Sequence, residues 1–228
     1  MKRSATPWRL LVALLLALVP AAAHAQQSLI LDMRGFDYQD PDPSPGSFGV
    51  LGSGYVGVGD LTGLYAPLVF DATNNYYTYI VHGMSVTSVV PFGQHVAINY
   101  TGGTLEIYED SKSGGTDGVW APDPPNAQSP GTFTDGSLYL HATLTNFQFV
   151  IDTNTLSGSY EGDITFDGGA HLGDLPANDR SGWTFAGVTS RAANIPHNWY
   201  HQVAAESFVQ SITVTRRSSW GGIKNLYR

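Results

Sequence analysis

Leu138, Leu140, Ala142 and Leu144 alternate with Tyr139, His141, Thr143 and Thr145. A period of two puts one set of side chains on each face of an extended strand. Phe147-Gln148-Phe149-Val150-Ile151 follows, and a link rich in Thr, Asn and Gly runs from Asp152 to Gly158. Tyr160, Gly162, Ile164 and Phe166 then alternate until Asp167-Gly168-Gly169. Short links of this composition join neighbouring antiparallel strands. The pattern predicts a β-meander over Phe133 to Phe166, with one apolar face that another layer must cover.

The same reading extends along the chain. Leu29 to Met33 is a short apolar run, and Gly35 to Tyr38 leads into a loop containing Pro41, Pro43 and Pro45. Prolines lack the donor a sheet needs, so this loop lies outside any ladder. Phe48 to Val58 is a weak, glycine-rich strand, and Leu64–Phe70, Tyr76–Val81, Val86–Val90 and His95–Tyr100 are further strands. Thr101-Gly102-Gly103 reads as a turn into Thr104–Glu109. Ser111 to Gly131 is a long break with Pro122, Pro124, Pro125 and Pro130, and Trp183 to Val188 is another strand. In His201–Thr215 the middle, Val203 to Val209, has helix propensity, whereas Ile212 and Val214 alternate as a strand does. About ten short strands with turns at this spacing predict an all-β protein. The first expectation is an antiparallel, jelly-roll-like sandwich, with a barrel as the alternative and a short C-terminal helix.

The N-terminus changes the picture from fold to compartment. Lys2, Arg3 and Arg9 precede an apolar run from Leu10 to Val19, and Ala23-His24-Ala25 supplies an A-x-A site. This is the pattern of a secretory signal peptide, and the run is too short for a spanning helix, which needs about 20 apolar residues. The expected organisation is a signal peptide over 1–25, one β domain over 26–215 and a basic amphipathic tail over 216–228. The chain carries a net charge of −8, and removal of three basic leader residues takes it to −11. So acidic a chain is a poor ligand for nucleic acid. With no cysteine, it holds its shape by packing, to which 12 Tyr, ten Phe and five Trp contribute large buried areas.

Candidate chemistry is sparse. Asp37, Asp40 and Asp42, with Ser44, gather hard oxygens in one loop of the kind calcium takes, although no EF-hand glycine is present. No cofactor is expected: a solvated acidic loop is the competing reading, and calcium is the one ion these residues would suit. Glu161 and Asp163 share the polar face of a strand, and Glu106 and Glu109 fall on opposite faces. His197 and His201 would meet only on a helix, and no acidic residue lies between them as a zincin motif requires. Tyr77 and Tyr79 on a strand, with Trp120 and Trp199 in loops, would suit stacking on sugar rings if they are exposed; core packing is the competing reading.

Several segments resemble a group of uncharacterised exported bacterial proteins associated with PEP-CTERM sorting. They are Gly102–Asp110, Thr132–Leu138, Gly182–Phe185 and Ile195–Gln202. The resemblance implies a secreted β-rich fold and carries no catalytic residue with it. The sorting tail of that group is missing; the chain ends instead in Trp220-Gly221-Gly222-Ile223-Lys224-Asn225-Leu226-Tyr227-Arg228. That ending looks like a terminal signature of exported bacterial proteins. Trp220, Ile223 and Tyr227 would share one face of a short helix beside Lys224 and Arg228.

These readings predict an exported, non-catalytic cell-envelope or extracellular protein of structural or adhesive type, at the cell surface, outside the cell or in the periplasm. The alternative is a carbohydrate-binding module acting through tyrosine and tryptophan faces, and a jelly-roll hydrolase ranks third. The expected partners are extracellular polysaccharide or envelope components.

Overall fold

The computed structural model describes residues 28–40, 49–115, 131–190 and 201–209. They form eight strands: β1 (Ser28–Asp40), β2 (Gly54–Leu64), β3 (Asn75–Phe92), β4 (His95–Ser111), β5 (Ser137–Asp152), β6 (Gly158–Gly168), β7 (Trp183–Ser190) and β8 (His201–Val209). Each pairs antiparallel with the next, and β8 returns to β1. The all-β, antiparallel expectation holds. The strand order is that of a closed up-and-down barrel. A jelly roll would place sequence-distant strands side by side through Greek-key crossovers; among the described residues the closing pair, β1 with β8, is the only such pair. The predicted C-terminal helix, with Trp220, Ile223, Lys224, Tyr227 and Arg228, lies outside the described residues.

Several predicted breaks are bends within longer strands. Tyr76–Val81 and Val86–Val90 belong to one strand of 18 residues, β3, which shifts register between Val86 and Ser88. The predicted turn at Thr101–Gly103 instead lies inside β4, where Gly102 and Gly103 take φ of 72° and 114°. A straight strand of that length would span roughly 60 Å. Glycine in a left-handed conformation lets it curl around the barrel without breaking the ladder. Three other expectations change. Tyr65 to Phe70 forms turns and not a strand, Val203–Val209 is strand and not helix, and Gly49–Ser53 precedes β2 as loop and turn.

Side chains alternate apolar-in and polar-out, with two resets in β5. Tyr139 is an extra residue opposite the step between Ile107 and Tyr108, so Leu140, Ala142 and Leu144 face inward while Leu138 is exposed. Asn146, at φ 54°, sits in the next register shift and hands the inward face to Phe147, Phe149 and Ile151. The outer faces of β3–β6 carry His82, Glu106, His141, Thr143, Glu161 and Asp163. That is the reverse of a bilayer-spanning barrel, which turns apolar residues outward. No described helix is long and apolar enough to cross a membrane.

The two ends differ. Where β2 leads to β3, and β6 to β7, loops fold over the barrel and add Leu68, Phe70, Leu172 and Leu175 to the core. A smaller cluster lies outside the wall, where Phe133 is fully buried over Val58 and Ile80. Thr78 Oγ1 donates to the Phe133 carbonyl at 2.9 Å and pins that segment. Phe133 is thus a plug on the outer face, not the first residue of the meander.

Candidate functional site

The half of the barrel toward the β1–β2 and β3–β4 connections holds a buried polar group of residues. Asp37 and Gln39 point inward from β1, Tyr55 from β2, Tyr79 from β3, Tyr100 from β4, Tyr160 from β6 and Thr189 from β7. Asp37 is 2 % exposed, and the four tyrosines are at most 5 % exposed. Phe147, Phe149 and Phe185 pack around them, with ring centroids 5.0 Å (Phe149–Tyr160) to 6.3 Å (Tyr100–Phe149) from the tyrosines.

Glycines make this arrangement possible. Tyr79 reaches from β3 across β2, and its hydroxyl lies where a Cβ on Gly35 would stand, 2.7 Å away. Phe147 lies over Gly162 in the same way, at 2.9 Å, and the Tyr55 hydroxyl lies 3.3 Å from a Cβ on Gly57. The rings therefore lie along the wall of the barrel, over positions without side chains.

The hydrogen bonds are incomplete. Gln39 Nε2 donates to the Tyr100 hydroxyl at 3.0 Å. Gln39 Oε1, the Tyr79 and Tyr160 hydroxyls and Thr189 Oγ1 are buried with no partner. Tyrosines at the other end contrast with this. Tyr77 donates to Glu109 Oε1 at 2.6 Å and accepts from the Asp71 amide, while Tyr139 donates to the Val69 carbonyl at 3.0 Å and accepts from its amide. Unpartnered buried polar atoms are rare in folded proteins and call for a physical account. Four of the five such side-chain atoms among the described residues belong to these inward residues; the fifth is Thr132 Oγ1.

Electrostatics keep the tyrosines neutral. Burial pushes the Tyr55, Tyr79, Tyr100 and Tyr160 hydroxyls far above the ordinary tyrosine range, and the negative charge of Asp37 adds to each. At the other end, burial raises Tyr139 to about 12, although the bond to Val69 opposes it.

Replacing Tyr160 by phenylalanine is expected to leave the ligand-free protein as stable as before, or more so. The substitution removes a buried hydroxyl that has no partner, a group that costs about 1–3 kcal/mol to desolvate. Tyr139→Phe breaks two hydrogen bonds to Val69 and is expected to destabilise by about 1–3 kcal/mol. Urea denaturation of the two variants checks the contrast in sign.

A second polar group runs across the outer face. Tyr108 donates to Glu106 Oε2 at 2.7 Å, His82 lies 3.5 Å from the same carboxylate, and His141 Nδ1 and Thr143 Oγ1 both donate to Asp167 at 2.5 Å. Partial burial acts to raise the Asp167 carboxyl, but the hydrogen bonds from Thr143 and His141 outweigh it and hold the carboxyl below the usual range. Each of these groups is satisfied by its neighbour, which makes the ladder a solvated face. Glu161 and Asp163 are exposed on the same side of β6. Glu109 faces inward to Tyr77, away from Glu106, as the odd spacing requires.

The predicted site residues fall into three groups. Tyr77 and Tyr79 do not present faces to solvent; they are 4 % and 1 % exposed, because their alternate positions face the barrel interior. Asp37 lies not in a loop but on β1, where it is buried; Asp40 ends that strand, opposite Gly54, and Asp42 lies outside the described residues. Trp120 and Trp199 lie outside them too, as does His197, whereas His201 opens β8 opposite Asp37. Among the described residues no group of three or more His, Asp or Glu is placed to hold a metal.

Tyr55, Tyr160, Gln39 and Thr189 carry no site assignment from the sequence. One signal was present: Gly57 and Gly59 follow Tyr55 at steps of two, and Gly162 follows Tyr160 likewise. Glycines on the same face as an aromatic residue mark a wall over which a ring can lie. Comparison with protein-family models, curated proteins and solved structures gives no match to this chain.

Proposed function

We propose that the chain is an exported, non-catalytic cell-envelope or extracellular protein whose barrel binds a small molecule among the interior hydroxyls. The observation that carries this reading is the set of four unpartnered, buried polar atoms at one end, set against the fully bonded tyrosines at the other. A ligand supplying the missing hydrogen bonds would remove their desolvation cost, and the surrounding rings would cover its apolar part. Export rests on the basic, apolar and small-residue pattern of 1–25. Carbohydrate binding through Tyr77 and Tyr79 is replaced by binding inside the barrel, because those rings are enclosed and a polysaccharide needs an open face.

An adhesive role draws on a different observation. Val50, Leu51, Val90 and Phe92 are exposed on the 49–53 loop and the β3–β4 hairpin, where Gly49 lies beside Val89. Exposed apolar groups of this kind mark contact surfaces.

The test is a small-molecule screen by thermal shift and ligand-observed NMR on residues 26–228, repeated with the Tyr79→Phe/Tyr160→Phe double variant. Compounds that stabilise the parent and not the double variant support interior binding. Compounds that stabilise both equally, or none at all, sink it. Adhesion lost on Leu51→Ser and Phe92→Ser in that event leaves the surface role.

A further inference from the structure

We propose that the barrel end carrying Val50, Leu51, Val90 and Phe92 docks peripherally on an electrically neutral, zwitterionic phospholipid surface. This rests on the contact-surface reading of those four residues and is independent of interior binding. Leu51 is 68 % exposed and Phe92 49 %, and both stand on turns that are tied to their neighbours. The Gly52 amide donates to the Val86 carbonyl and the Val86 amide to the Ser53 carbonyl, both at 2.9 Å. Beside the β3–β4 hairpin, the Thr153 amide and Oγ1 both donate to the Gln94 carbonyl, at 2.8 and 3.1 Å. The backbone of each turn is thus fixed while its apolar side chains face solvent.

Charge selects the kind of surface. Residues 49–53 and 86–94 contain no Asp, Glu, Lys or Arg, in a chain whose net charge is −8. At the opposite end the described connections carry Asp71, Asp135, Asp174 and Asp179 against Lys112 and Arg180. Val69, exposed at that end, lies two residues from Asp71. A molecule polarised in this way can set its uncharged end on a bilayer and keep its carboxylates in water. Anionic headgroups would repel the chain as a whole. Area separates lipid from protein as the occupant. Four side chains, each about half to two-thirds exposed, fall well short of the roughly 800 Å² per partner that a stable protein interface buries. A bilayer needs no matching shape, and its hold on a peripheral protein scales with the apolar area immersed. Because the outer wall is polar, the barrel rests on the surface and does not span it.

The absence of cysteine makes the test direct, since a single introduced thiol is the only one that a dye can label. Residues 26–228 are prepared as Leu51→Cys and Phe92→Cys, with Val69→Cys at the opposite end and Val188→Cys on the wall as controls. Both control positions are as open as the test positions, at 62 % and 59 % exposed. Each is labelled with an environment-sensitive nitrobenzoxadiazole dye and mixed with dioleoylphosphatidylcholine vesicles. A blue shift with brighter emission at 51 and 92, and none at 69 and 188, is the expected result. Flotation with the same vesicles is expected to recover about tenfold less of Leu51→Ser/Phe92→Ser than of the parent, for the loss of two immersed apolar side chains. Vesicles rich in phosphatidylglycerol are expected to recover less parent protein than phosphatidylcholine at low salt. No flotation of the parent, equal flotation of the double variant, or equal shifts at all four positions overturns the inference. If adhesion or self-association is nevertheless lost in the double variant, the contact surface stands and its occupant is a protein. If neither is lost, both readings fall.

Discussion

Replacing Gly35 by valine is expected to lower the melting temperature by roughly 10 °C or more, and Gly59→Ala to act in the same direction. A Cβ at Gly35 would stand 1.9 Å from the Val58 carbonyl oxygen and 2.8 Å from the Gly59 Cα; one at Gly59 would stand 1.9 Å from the Arg34 carbonyl. These obstacles are backbone atoms of the paired strand, so no side chain can move aside. In a flat antiparallel pair Cβ atoms leave the sheet. Here they would drive into the neighbouring strand, where Gly35 and Gly59 face each other. Overpacking a core typically costs about 1–3 kcal/mol, and more when only the backbone can yield. At this size each kcal/mol lowers the melting temperature by about 2–4 °C. Near-UV circular dichroism during heating would read the effect. Gly173→Ala, at a position with nothing within 4 Å, is the control expected to change little. A Gly35→Val melting curve like that of the control would show that the barrel does not close through this contact.

Alkaline unfolding is the second large expectation. Tyr55, Tyr79, Tyr100 and Tyr160 have folded-state values above the ordinary tyrosine value of 10.0, mainly through burial. For an acid whose folded value is raised, the associated stability is fully present below the unfolded value and is lost as pH rises through the folded one. Above about pH 10 the unfolded chain loses four protons that the folded barrel keeps. Each such proton costs about 1.4 kcal/mol per pH unit, so the four together cost about 5 kcal/mol per unit. Against a typical total of about 5–15 kcal/mol, the fold is expected to collapse within roughly one to three units above pH 10. Phenolate absorbance at 295 nm should rise for these residues in one step, together with the loss of circular dichroism. Gradual titration of all tyrosines with the barrel intact would overturn the buried placement. The Tyr79→Phe/Tyr160→Phe variant should show about half the slope.

These expectations depend on contacts that local patterning reveals only in part. The alternation of Tyr160, Gly162, Ile164 and Phe166 sufficed to place β6, and its inward face is the one that alternation requires. The same rule failed at Leu138, because Tyr139 is an extra residue in the strand and exchanges the faces on either side. Gly102-Gly103 looks like a turn for a related reason: a positive φ ends a strand in a hairpin but only bends one in a barrel. Which of the two occurs depends on whether the partner strand continues past it, and β3 does.

The site was less legible than the fold. Tyr77 and Tyr79 share one face by spacing, but they serve opposite ends: Tyr77 bonds to Glu109, whereas Tyr79 turns its hydroxyl toward Gly35. Asp37 stands beside Asp40 and Asp42 in a row of loop-like acids, yet strand parity turns it inward among tyrosines from four other strands.

Read without coordinates, residues 28–209 already declare their period, and with it the all-β class, the antiparallel meander and the polarity of most faces. Those properties are local, set by residues one or two positions apart. Closure of β8 on β1, the burial of Tyr77 and Tyr79 and the gathering of Asp37, Gln39, Tyr55, Tyr79, Tyr100, Tyr160 and Thr189 came only with the folded barrel. Period two states which side of a strand is apolar; it does not state what that side meets. The partners come from strands up to about 150 residues apart, brought together by bulges, positive-φ glycines and curvature that act over the whole sheet.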